Sequence, residues 1–139
     1  MLNPPFSVND HQWPEPGTVV WIQVFLIYRH RGIVSDRWSG GKPMVISNSG
    51  RRGGVFEEPW DEFSQGSPVY LENKVYHGKL PSHDVLHRAR SVIGTRYDLY
   101  KWNCDDVAAF AHGIKAQYTQ LGATLAIVAI SCALIGMRK

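Results

Sequence analysis

Thr18-Val19-Val20-Trp21-Ile22-Gln23-Val24-Phe25-Leu26-Ile27-Tyr28 decides the fold. The run is dense in β-branched and aromatic residues and follows Pro14-Glu15-Pro16-Gly17, a turn signal, so it reads as one long, largely buried strand. Gly32 to Ser35 continues this region, Asp36 to Pro43 with Gly40-Gly41 reads as a turn, and Met44 to Ser47 reads as the returning strand. Paired antiparallel, the two arms bring His30 and Ser47 near each other. Ser49 to Gly54 is then an Arg/Gly loop, Trp60-Asp61-Glu62-Phe63 a packed turn after Pro59, and Val69 to Leu71 a further short strand. Several short strands imply a small antiparallel sheet.

Two helices are expected to cover it. Val85, Leu86, Ala89, Val92 and Ile93 share one helical face after Ser82-His83-Asp84, with His87, Arg88 and Arg90 outward and Gly94 as the stop. Asn103 is a good N-cap for the next helix, whose apolar residues are Val107, Ala108, Phe110 and Ala111 and whose break falls at Gly113. Cys104 occupies its first turn. The class is therefore α+β, a small antiparallel sheet packed against helices, ending in an apolar C-terminal helix.

The 139 residues carry a net charge of +3, with basic residues scattered apart from Arg29/Arg31 and Arg51/Arg52. No continuous nucleic-acid footprint follows from that distribution, and nucleic acid is not an expected partner. The two cysteines, Cys104 and Cys132, make no disulfide framework, which suits a reducing compartment. His11, His77, His83, His87 and His112 lack a metal-ligand spacing, and Gly50 to Gly54 lacks the helix a phosphate loop needs, so neither metal nor cofactor is expected.

Domain organisation follows from composition. Residues 1–15 read as an extended, proline-rich lead-in that is neither secretory signal nor anchor. Residues 16–117 form one compact domain, and 118–139 are an apolar tail. Leu121 to Met137 is almost unbroken Leu, Ala, Ile, Val and Gly before Arg138-Lys139. Seventeen helical residues reach about 25 Å, at the lower limit for a hydrocarbon core of about 30 Å, and Tyr118 to Gln120 bring the segment closer to spanning. A membrane anchor through residues 118–137 is expected, with the domain on the cytoplasmic side; the other reading is a buried or dimerising helix.

The chemistry centres on Cys104 and His30. A thiol must become a thiolate before it attacks a carbonyl, and a helix N-terminus with a neighbouring imidazole favours that ionisation. Asp105 and Asp106 oppose it unless they cap N–H groups or face solvent, so activation rests on His30. Tyr28, two residues before His30 on the same face, is placed to steady an oxyanion or simply to pack.

These residues resemble the lecithin retinol acyltransferase-like family, relatives of NlpC-type cysteine hydrolases. Pro16-Gly17-Thr18 is similar to the family's opening turn, and Tyr28-Arg29-His30-Arg31-Gly32-Ile33 to its histidine box. Gly53-Gly54-Val55, Trp60-Asp61-Glu62-Phe63 and Gly66 resemble its middle segment, and Arg88-Ala89, Gly94, Tyr97 and Asn103-Cys104 its helix and nucleophile box. The resemblance covers about residues 16 to 137 and implies a circularly permuted papain-like fold. It makes Cys104 the acyl-accepting nucleophile, His30 the base, and Ser47 the third group, where vertebrate members carry a second histidine; Asn48 is the alternative.

Three functions follow from that resemblance. The first is a membrane-associated thiol acyltransferase or phospholipase moving a fatty acyl group from a phospholipid or other acyl ester through a thioester on Cys104. The second is an NlpC-type amidase or peptidase. The third is a non-catalytic interaction or membrane-remodelling module with a protein partner, similar to picornaviral H-box/NC proteins.

Overall fold

The computed structural model describes residues 12–25, 28–72 and 77–115. The chain is mixed α+β, as its strand and helix patterns imply. Strands β1 (Val19–Phe25), β2 (Tyr28–Ser39), β3 (Lys42–Ser49) and β4 (Gly54–Glu58) precede a short helix α1 (Trp60–Ser64). Strand β5 (Tyr70–Leu71) and helices α2 (Ser82–Ser91) and α3 (Cys104–His112) follow. The five strands lie in the order β4-β3-β2-β1-β5, with every neighbour antiparallel.

The expected long first strand is two strands. β1 ends at Phe25 and β2 begins at Tyr28, with Phe25 paired to Tyr28 and Ile22 to His30 across a register shift. Nothing in an unbroken apolar run signals that reversal, because Leu26-Ile27 contains no turn residue. The turn expected over Asp36 to Pro43 shrinks to Gly40-Gly41, both at positive φ (62° and 78°), the backbone that a two-residue hairpin of this hand requires. Trp60-Asp61-Glu62-Phe63 forms α1 rather than a turn.

Alternation along the strands sends apolar residues to both faces, so the sheet has two cores. On one face Val19, Ile33, Ile46 and Val55 pack with Val85, Leu86 and Ala89 of α2 and Val107, Ala108 and Ala111 of α3. On the other, Val20, Ile22, Val34 and Val45 pack with Trp60 and Phe63 of α1 and with Val69. Gly32 is what lets α1 come so near. A Cβ there would sit 2.4 Å from Val45 Cγ1 and 2.8 Å from Phe63 Cε2.

Arg88 and Arg90 do not point outward as expected. Arg88 lies over the Phe110 ring and donates to the Phe110 carbonyl at 2.8 Å, tying α2 to α3. Arg90 reaches the sheet and pairs with Asp36 at 2.5 Å and Glu57 at 3.1 Å. Helix α2 stops at Ser91, before Ile93, which is exposed, and Gly94 follows at φ 90°. The apolar C-terminal segment, residues 118–137, lies outside the described residues, as does the lead-in before residue 12. Among the described residues no helix is long and apolar enough to cross a membrane.

Candidate functional site

Asn103 caps α3 as its sequence predicts. Its side-chain oxygen accepts from the backbone N–H groups of Asp105 (2.9 Å) and Asp106 (3.2 Å), and Asp106 Oδ2 accepts from the Asn103 N–H at 2.9 Å. This reciprocal capping box satisfies donors that a helix start otherwise leaves bare. The preceding loop is fixed by Asp98, whose carboxylate accepts from Tyr100 and Lys101 N–H while its backbone pairs with Trp102. Asn48 of β3 donates to the Trp102 carbonyl at 2.7 Å, so the sheet itself holds the turn that presents Cys104.

Asp105 takes a different course from Asp106. It turns under the helix to meet Arg31 Nη1 at 2.7 Å, while Arg31 Nε donates to Glu72 at 2.5 Å, and all three side chains are buried. One guanidinium thus joins α3, β2 and the residue that follows β5. The opposition of Asp105 to thiol ionisation was expected, but its buried pairing with Arg31 and Glu72 was not. The available signal was a charge inside the apolar β2 run and another inside the first turn of an apolar helix.

Cys104 lies on the α3 face of the sheet, 1 % exposed. Its sulfur is 3.2 Å from the Tyr28 hydroxyl, 3.8 Å from the Arg29 carbonyl and 3.7 Å from Asp105 Oδ1. Burial, with the Asp105 charge second, pushes the thiol up to about 12. Burial also raises the Tyr28 phenol, and the neighbouring thiol adds to that, so both partners of the contact are neutral at pH 7. The helix N-terminus does not reverse this, because its Asp105 and Asp106 N–H groups are already taken by Asn103.

His30 belongs to the other face. Its ring packs on Phe63 of α1, with centroids 5.3 Å apart, and no hydrogen bond joins it to Cys104, Ser47 or Asn48 among the described residues. Burial first, and the Arg51 charge second, lower the imidazole to about 4. Ser47 is buried on the α1 side, in step with Val45, without a hydrogen bond to the ring. Asn48 points to the α3 side through its contact with Trp102, and its Oδ1 is buried without a partner among the described residues.

Of the four residues singled out in the sequence, the structure brings Cys104 and Tyr28 into direct contact and leaves His30 and Ser47 across the sheet. Tyr28 and His30 nevertheless share a cleft at the end of the sheet, together with Arg51 and Tyr97. Tyr97 was legible as part of the cysteine box but not as a wall of this cleft. Among the described residues no three His, Cys, Asp or Glu side chains converge as metal ligands. Comparison with protein-family models finds no match to the chain, and neither does comparison with curated proteins.

Proposed function

We propose that this chain is a non-catalytic binding module built on the framework of the lecithin retinol acyltransferase-like family, tethered to a membrane by residues 118–137. The observation that carries this reading is the burial of the Cys104 thiol against the Tyr28 hydroxyl and beside Asp105, with no imidazole bonded to it among the described residues. A nucleophilic cysteine needs a thiolate, and the two largest influences here, burial and the Asp105 charge, favour the thiol. The permuted papain-like fold belongs to the same proposal. It is supported by a histidine-bearing strand that precedes a cysteine-bearing helix packed on one antiparallel sheet, the reverse of the papain order.

A second reading, the thiol acyltransferase, rests on one specific observation. Tyr28 touches the thiol and also lines the cleft that contains His30, so a shift of one phenol ring would open a route from that cleft to the sulfur. Alkylation by iodoacetamide across pH 6 to 11 separates the two. The binding reading expects a half-reaction pH well above the ordinary thiol value of about 8.5, and no hydroxylamine-labile label on Cys104 after incubation with radiolabelled phospholipid. A half-reaction pH below about 8, or label lost in Cys104→Ala, would establish the acyl-transfer reading instead.

A further inference from the structure

The cleft at the sheet's end contains an unusual combination. Its walls include Val24, Tyr28, His30, Arg51, Gln65 and Tyr97, around about 200 Å³. His30 is 8 % exposed, and neither ring nitrogen has a hydrogen-bond partner among the described residues. The ring nitrogens are not sealed inside the protein, and His30 lines the cleft, so a group that enters the cleft can take up their unused hydrogen-bonding capacity.

Arg51 supplies the charge. Its Nη2 is turned toward Glu58 (3.3 Å) and the Glu62 carbonyl (3.3 Å), which leaves Nε and Nη1 without a partner among the described residues. Glu58, almost wholly buried, is shared with Arg52 at 3.2 Å, so one inward carboxylate serves two guanidiniums. Glu62 lies on the exposed side, 3.6 Å from Arg52. The Arg51 charge also reaches His30, whose imidazole it helps to hold in the neutral form.

We propose that this cleft binds a carboxylate, gripped by the free edge of Arg51 and hydrogen-bonded by His30, with Val24 and the two tyrosine rings against a short apolar substituent. This deepens the binding reading of the same site and rests on it. A single incompletely neutralised charge suits a monoanion better than a doubly charged phosphate. The volume is smaller than the roughly 300–1,000 Å³ of a drug-sized site, so a nucleotide or a long acyl chain would not be enclosed. Such a carboxylate has two sources with one chemistry, a free short-chain acid or the C-terminus of a peptide.

The test uses the full chain and proton NMR of the His30 ring, with butyrate, its neutral isostere butyramide and inorganic phosphate as probes. Butyrate is expected to shift the His30 signals saturably, and butyramide to leave them in place. Because a bound anion offsets the Arg51 field, the His30 titration midpoint should rise by at least about one unit, equivalent to roughly tenfold tighter binding to the protonated ring. Arg51→Gln should abolish both effects, and His30→Gln should retain weaker binding without the pH dependence.

A pentapeptide with a free C-terminus, compared with its amidated form, distinguishes the two sources. Preference for the free terminus by more than about tenfold over butyrate identifies a protein partner, and its lack identifies a free acid. Equal response to butyrate and butyramide, or tenfold preference for phosphate, would overturn the proposal, and neither variant need fold for that result. The iodoacetamide profile reads the thiol alone, so a reactive Cys104 with intact butyrate binding refutes the non-catalytic reading and leaves the carboxylate site standing.

Discussion

At the scale of single residues, Asp105 determines more than Cys104 does. Its carboxylate both completes the buried Arg31 pair and opposes ionisation of the adjacent thiol. Arg31→Met would leave Asp105 and Glu72 buried without their shared guanidinium, and removal of one member of such a cluster costs about 3–5 kcal/mol. The drop should appear as a lower urea midpoint at unchanged slope. Asp105→Asn is milder, because Arg31 keeps Glu72 and the amide can still accept a hydrogen bond. That variant should move the alkylation profile of Cys104 to lower pH. Burial remains the larger influence on the thiol, however, so the midpoint should stay above the ordinary thiol range. A midpoint that does not move would show that the Asp105 charge is screened from the sulfur.

At the scale of elements, local chemistry was legible and facing was not. Asn103 and Gly113 announce the two ends of α3 because caps depend on nearby backbone groups, and both occur where the sequence places them, Gly113 at φ 68°. Asn103→Ala should accordingly cost about 1 kcal/mol, seen in thermal unfolding, and Asn103→Asp should recover most of it. The expected pairing of His30 with Cys104, which the structure does not form, was of another kind. Ile33 and Val34 are both apolar because both sheet faces are covered, so the strand pattern cannot say which face receives α3 and which receives α1. Only the packing of Phe63 over Gly32 decides that His30 lies under α1. Gly32→Ala should therefore be strongly destabilising, with its Cβ meeting Val45 and Phe63 well inside contact distance. A parallel loss of near-ultraviolet signal from the Trp60 environment would place the damage on the α1 face.

At the scale of the whole molecule, neutral imidazoles make the fold sensitive to acid. His112 accepts the Gly78 N–H at Nδ1 (3.3 Å) and donates from Nε2 to the Gly17 carbonyl (2.7 Å), while His77 Nε2 accepts the Val19 N–H at 3.0 Å. These rings, 5.1 Å apart, join the end of α3 to the start of β1 and to residues 77–78, and a second proton on His112 would replace an acceptor with a donor facing Gly78. Burial lowers the His112 imidazole, as it does His30, whose folded value is about 4 against 6.5 when exposed. For a base held low in the folded state, the unfolded chain binds more protons, so stability is complete above about pH 6.5 and declines as pH falls toward 4. His30 alone should account for a loss on the order of 3 kcal/mol across that window. Asp105 and Asp106, raised by burial, act in the opposite sense, because the fold takes up their protons at higher pH than the unfolded chain does. Urea unfolding from pH 7.5 to 4.5 should show the decline. His112→Gln, whose amide can accept from Gly78 and donate to Gly17 without titrating, should flatten part of it and His30→Gln a larger part. Stability that stays level through this range in the wild-type chain would mean that both rings take up their proton in the fold at the same pH as in the unfolded chain.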